Sequence, residues 1–240
     1  TYAAWAQHAP VTVGWVTGEH PQFLALRDDV PVVVRFSPPR GEPAGDRVAD
    51  RLVAEHLALT TLAEAGHPAA PTRLLEADGR VFLEVERFDR TRHGGRRGFV
   101  TLRALHHEHV EDEPTRPSAT SGRLLDLRVI DETTHRKVRF REQFATWAGH
   151  PDLPLTDVAL FLDRLVPRGL APATTLRPAV GTDGEQPLRR AGSPNGDISR
   201  PAHEAAMAFW ERVAHDARIS AATRALAGQT RSRLAGVAPL

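Results

Sequence analysis

The chain contains no cysteine, which excludes disulfides, thiolate nucleophiles and cysteine-held zinc. Methionine is nearly absent as well. The only one is Met207, and the chain starts at Thr1, so a fragment or processed chain is expected, with a domain missing upstream. Lys137 is the only lysine among 31 basic residues, and Asn195 is the only asparagine. A codon bias towards arginine accounts for the rarity without altering its chemical consequence. Any mechanism that needs a lysine or an asparagine has only these two positions to use. No apolar run approaches the roughly 20 residues of a membrane span, and no signal-peptide pattern opens the chain. The expectation is a cytoplasmic protein with no membrane partner. A net charge of +1 gives no direct nucleic-acid signal either.

What is present is ordinary for a globular protein: 240 residues, 41% apolar and 25% charged. That length can bury one large core or two lobes. VPVVVRF, 30–36, is the strongest strand signal, and the prolines of FSPPRGEP end it. A helix is expected from an Asp46 cap to about Ala65, with Gly66 as its stop. Its apolar positions are Val48, Leu52, Leu59 and Leu62. Glu55 falls on that stripe at helical spacing, where a carboxylate needs a cationic partner or a metal unless it lies at the solvated edge.

TRLLEA and RVFLEVERF, joined by Asp-Gly, read as a hairpin. DRTRHGGRRG reads as a solvated linker, 101–109 as a helix from Thr101, and 111–122 as a polar connection. A helix is expected over 131–148, with Phe140, Phe144 and Trp147 on one face, and a short strand over 158–162. Residues 178–199 read as a long loop. Two closing helices lie around Phe209 and Val213 and over Ala221 to Leu234. Strands around one helix, followed by mostly helices, make an α+β plan. In HHEH, His106 and His109 stand three apart and could ligate a metal, but histidine clusters before acidic loops are usually solvated.

Several segments together resemble HipA-type serine/threonine kinases, in their YjjJ-like branch. VVVRFSPP, RVADRLVAEHLAL and VFLEVERFDR resemble the family's small lobe. GEHPQFLAL resembles its phosphate loop, FREQFATWAGHPDLPLTDVALFLD its catalytic loop, LAPATTLRPA its metal-binding segment, and HEAAMAFWERVAHDARIS its C-terminal helices. The resemblance implies a two-lobed, protein-kinase-like α+β fold: a small β-rich lobe over 1–88 and a helical lobe over 89–240. It also implies ATP, magnesium and a protein hydroxyl as substrate.

The departures from the family pattern fall on the residues that do its chemistry. The strand lysine that grips phosphate is Arg35, which can still pair with Glu55 but is a planar fork rather than a compact ammonium. The phosphate-loop lysine is Gln22, and Gly14 and Trp15 occupy the region of the family's autophosphorylated serine. The catalytic aspartate is Asp152. The metal-holding asparagine is Asp157, which can still meet magnesium, whereas the second metal ligand is Thr175, a poor partner for a hard dication. Arg35, Glu55, Gln22, His20 and Glu86 are the expected cofactor-binding positions. Asp152 and His150 are the expected catalytic pair, in a loop stiffened by Pro151 and Pro154.

Phosphoryl transfer rests on positioning and charge stabilisation, so these losses imply that ordinary kinase chemistry is gone. Three functions stay open. The first is a cleft reused to bind or convert a small molecule. The second is an active toxin–antitoxin kinase using ATP and magnesium. The third is a non-catalytic, partner-binding pseudokinase module.

Overall fold

The computed structural model describes residues 21–91, 93–110, 117–147 and 196–236, with 145–147, 196–199 and 233 by backbone alone. Four strands and six helices lie among them. β1 (Gln22–Arg27) and β2 (Val30–Phe36) precede α1 (Pro43–Glu64), and β3 (Thr72–Ala77) and β4 (Arg80–Glu86) follow it. After them come α2 (Leu102–His109), α3 (Pro117–Asp126), α4 (Glu132–Trp147), α5 (Gly196–His215) and α6 (Ala221–Ala235). The architecture is α+β, with one antiparallel sheet in the order β1-β2-β4-β3.

Both hairpins close on two-residue turns. Asp28 and Asp29, and then Asp78 and Gly79, all take positive φ, as the twist of a tight hairpin demands. Aspartate tolerates that region better than most residues do, so Asp28-Asp29 turns the chain without a glycine.

α1 starts three residues before the expected cap. Pro43 occupies the first helical position and Glu42 the N-cap, with no side-chain cap bond. Proline suits that place because its missing N–H would have had no helical partner. Asp46 therefore lies in the first turn, where its carboxylate accepts the Gly41 N–H at 3.4 Å and complements the helix dipole. The stop is as expected. Gly66 takes φ +79°, its N–H reaches the Ala63 carbonyl, and the His67 N–H reaches that of Leu62, a Schellman ending.

Two other expectations are corrected. Part of the polar connection at 111–122 is helix: α3 begins at Pro117 and buries Thr120, Ser121 and Leu124. The Ser121 hydroxyl is tolerated inside because it is bonded. Ser121 Oγ donates to the Ser118 carbonyl at 3.0 Å and meets His135 Nδ1 at 2.9 Å. The expected loop over 178–199 gives way to helix at Gly196. The expected strand at 158–162 lies outside the described residues.

One apolar cluster joins elements on both sides of residue 88. It contains Leu52 and Val53 of α1, Val81 and Leu83 of β4, Phe140 and Phe144 of α4, Phe209 and Trp210 of α5, and Leu234 of α6. Burying each such side chain is worth about 1.5–3 kcal/mol. No described helix is long and apolar enough to cross a membrane.

Candidate functional site

Residues paired across an antiparallel ladder share a face, and successive residues of a strand alternate faces. In β2, Val32, Val34 and Phe36 are therefore turned away from Val33 and Arg35. Arg35 pairs in register with Gln22 and Leu83, and Leu83 packs in the cluster with α1. Arg35 thus lies on the α1 side of the sheet. There its Nη1 donates to both oxygens of Glu55, at 2.7 and 2.6 Å. The Glu55 side chain is almost enclosed, at 10% exposure, while that of Arg35 keeps 32%. The carboxylate on the apolar stripe of α1 therefore has a cationic partner.

The next row on the same face is Leu24, Val33 and Val85, which are paired in register across β1, β2 and β4. One step of the alternation, about 7 Å, separates this row from Arg35. Within the sheet, α1 packs against β4, β3 and β2, and Leu24 on β1 is left 42% exposed. The result is a partly covered apolar shelf, open at Leu24, beside a fixed positive charge. None of these three residues was singled out from sequence, although counting back by twos from Arg35 reaches Val33.

Glu86 departs from the expected set. It pairs in register with Val32, which places it on the opposite face from Arg35. Arg27 holds it there at 3.1 Å and also contacts Glu84 at 3.4 Å. The structure therefore brings Arg35, Glu55 and Gln22 onto one face and separates the Glu86 side chain from them, because even and odd positions of a strand cannot share a face. Past β4, Asp89 receives a fork from Arg87 at 2.9 and 2.6 Å and a third bond from Arg90. The Arg87 bonds hold its carboxyl below the usual carboxylate range.

Asp50 is a second buried carboxylate of α1 that sequence reasoning did not single out. It accepts the Ser220 N–H at 2.9 Å, the Ser220 hydroxyl at 2.5 Å and the Thr223 hydroxyl at 2.7 Å. Arg40 stands at 3.6 Å. Asp50 lies three and seven residues before the buried Val53 and Leu57, a helical spacing that could have flagged it.

His106 is buried, whereas His107 and His109 are exposed. Among the described residues no group of three or more histidines, aspartates and glutamates is placed to hold a metal. His20, His150, Asp152, Asp157 and Thr175 lie outside the described residues.

The chain is similar to Toxin YjjJ of Escherichia coli strain K12. The two are 28% identical over 226 residues, covering 88% of this chain and 50% of the toxin. The chain thus spans about half the length of the curated relative it matches. No family model matches the chain, and no solved structure matches it either.

Proposed function

We propose that the chain is a HipA-like, kinase-fold protein whose cleft has lost ordinary protein kinase activity and binds or converts a small molecule instead. In this reading residues 1–88 form the small lobe and 89–240 the helical lobe. The observation that carries it is the Arg35–Glu55 pair beside the partly covered shelf of Leu24, Val33 and Val85. A cation held by a buried carboxylate is a preorganised charge, able to meet an anionic or carbonyl-bearing ligand without reorganising. The shelf supplies apolar contact for the body of that ligand.

The sequence supports the loss of kinase chemistry. Lys137 lies on α4 rather than on a strand, and Asn195 is far in sequence from the segment that resembles the catalytic loop, so neither is at the position that the family's motif uses. Asp152 and His150 are the proposed acid–base pair. The similarity to a protein named a toxin supports a toxin–antitoxin setting. The same ion pair also favours a second reading, an active kinase, because phosphoryl transfer needs a cation paired to a helix carboxylate. Asp152 and Asp157 would then serve ATP and magnesium.

Calorimetry of the full chain with ATP, with and without magnesium, separates the two. The first reading expects no magnesium-dependent binding and no phosphate transfer. Substrate phosphorylation at about 1–100 per second would overturn it. Once a ligand is in hand, Asp152→Asn and His150→Ala should each lower conversion about 10²–10⁴-fold with the fold intact.

A further inference from the structure

A groove of about 620 Å³ is framed by the end of α1, by α4 and by the start of α5. It contains none of the residues assigned to the cleft, so a ligand bound there would be independent of the kinase-like reading. Its floor is apolar, built from Ala65, Phe140, Pro201, Ala205 and Ala208. The ring of Phe140 is stacked on His67, with centroids 3.6 Å apart and planes 19° from parallel. Burial, helped by the nearby cations Arg141 and Lys137, holds the His67 pKa below its ordinary 6.5. The imidazole is therefore uncharged at neutral pH and adds a flat, weakly polar wall.

The other charged groups divide into two kinds. Arg136 is engaged by Glu132 at 3.0 Å, and Glu64 by Arg212. Lys137 of α4 and Glu204 of α5 both line the groove, and among the described residues neither has an ion-pair partner, the other included. Among the described residues the groove therefore offers one ammonium and one carboxylate without an ion-pair partner, on separate helices above an apolar floor. A purely anionic ligand on Lys137 would also meet Glu204, and a purely cationic one on Glu204 would also meet Lys137, so each is disfavoured by the opposite wall.

We infer that this groove binds a zwitterion with an apolar body, of the α-amino-acid class. Its carboxylate lies on Lys137, its ammonium on Glu204, and its side chain over Phe140 and Ala205. A cavity of this size is in the usual range for small-molecule sites, roughly 300–1,000 Å³. The compact ammonium of the chain's one lysine suits a small carboxylate as a point charge.

The test is calorimetry of the full chain with three probes: L-phenylalanine, 3-phenylpropionate, which lacks the amine, and 2-phenylethylamine, which lacks the acid. L-phenylalanine should bind at least about tenfold more tightly than either, since each lost charge-assisted bond is worth about 1.5–3 kcal/mol. Lys137→Met should weaken it about tenfold and abolish its advantage over 2-phenylethylamine. Glu204→Gln should do the same against 3-phenylpropionate. Circular dichroism checks the fold of both variants, and the comparison of probes on the unmodified chain decides the question without them. No binding of L-phenylalanine up to about 10 mM, equal binding of the acid or the amine alone, or full affinity in both folded variants would each overturn the inference.

Discussion

Asp50 and Glu55 are two buried carboxylates on one helix, exposed by 3% and 8%, and they are used differently. Asp50 receives an amide and a hydroxyl from Ser220, just before α6, and a second hydroxyl from Thr223 in its first turn. Its partners are mostly neutral and wholly structural, and they fasten α1 to the end of the chain. Glu55 receives the charged Nη1 of Arg35 on both oxygens, on a sheet face that stays partly open beside the shelf. A carboxylate enclosed by hydrogen bonds on every side has no capacity left for a ligand. One that anchors a half-exposed cation fixes a charge that still faces outward. Burial alone thus does not identify a functional acid, whereas the exposure of its partner separates the two cases.

The comparison breaks most readily at Asp50. Asp50→Ala should cost about 2–4 kcal/mol in urea unfolding, because it strands the buried Thr223 hydroxyl and the half-buried hydroxyl and amide of Ser220. Asp50→Asn, which keeps part of the network, should cost about half as much. If Asp50→Ala costs no more than Glu55→Ala, the structural role assigned to Asp50 fails.

Ser220→Ala comes next. Ser220 stands just before α6, and its hydroxyl accepts the Thr223 N–H at 3.4 Å while donating to Asp50. Losing such a cap costs about 1 kcal/mol, measured by the same unfolding curves. Since Ser220 and Asp50 share bonds, the double variant should cost less than the sum of the singles.

Glu55→Ala should lower stability by only about 0.5–1 kcal/mol, because Arg35 regains water at its exposed side. A double-mutant cycle with Arg35→Ala should give a coupling of similar size. Ligand binding in the cleft should fall far more than stability in either single variant. Equal effects on both would make the pair merely structural.

The smallest effect is on the pH dependence. The folded-state pKa values of His56 and His67 lie below 6.5, chiefly through burial. The unfolded chain therefore takes up protons first as pH falls through 6.5, and stability drops from there towards the lowered folded values. Asp89 and Asp216 are held below 3.8 by bonds from Arg87 and Arg218. Their contribution is present above 3.8 and is lost below it. Acid should destabilise the protein in two stages, and His67→Phe should flatten part of the first, as followed by thermal unfolding between about pH 7 and pH 5.

The candidate site was partly legible in the sequence. Glu55 on an apolar stripe and Arg35 on a valine-rich strand are local patterns, and they do meet. The side of the sheet on which Glu86 stands was legible in principle, because alternation fixes it once the register is known. The register itself is set by pairing Val32 with Glu86, a contact across 54 residues that no local pattern specifies. The shelf was hidden for a related reason. Leu24, Val33 and Val85 are ordinary strand residues until three strands align them, and α1 leaves one of them exposed.

By itself the sequence determined the elements whose physics is local. The Asp-Gly hairpin, the Gly66 stop, the Thr101 cap of α2 and the amphipathic helices around Phe140 and Phe209 depend on neighbours within a turn or two, so their patterns are written in adjacent letters. α3 escaped because its buried side is partly hydroxyl, and only the bonds to Ser118 and His135 make that burial tolerable. The tertiary structure alone decided which buried carboxylate became a clamp and which became an anchor. Asp50 finds Ser220 across 170 residues, and Arg35 keeps an open side because α1 leans towards β3 and β4. Packing settles such choices, because the same desolvated carboxylate is stable with either set of partners.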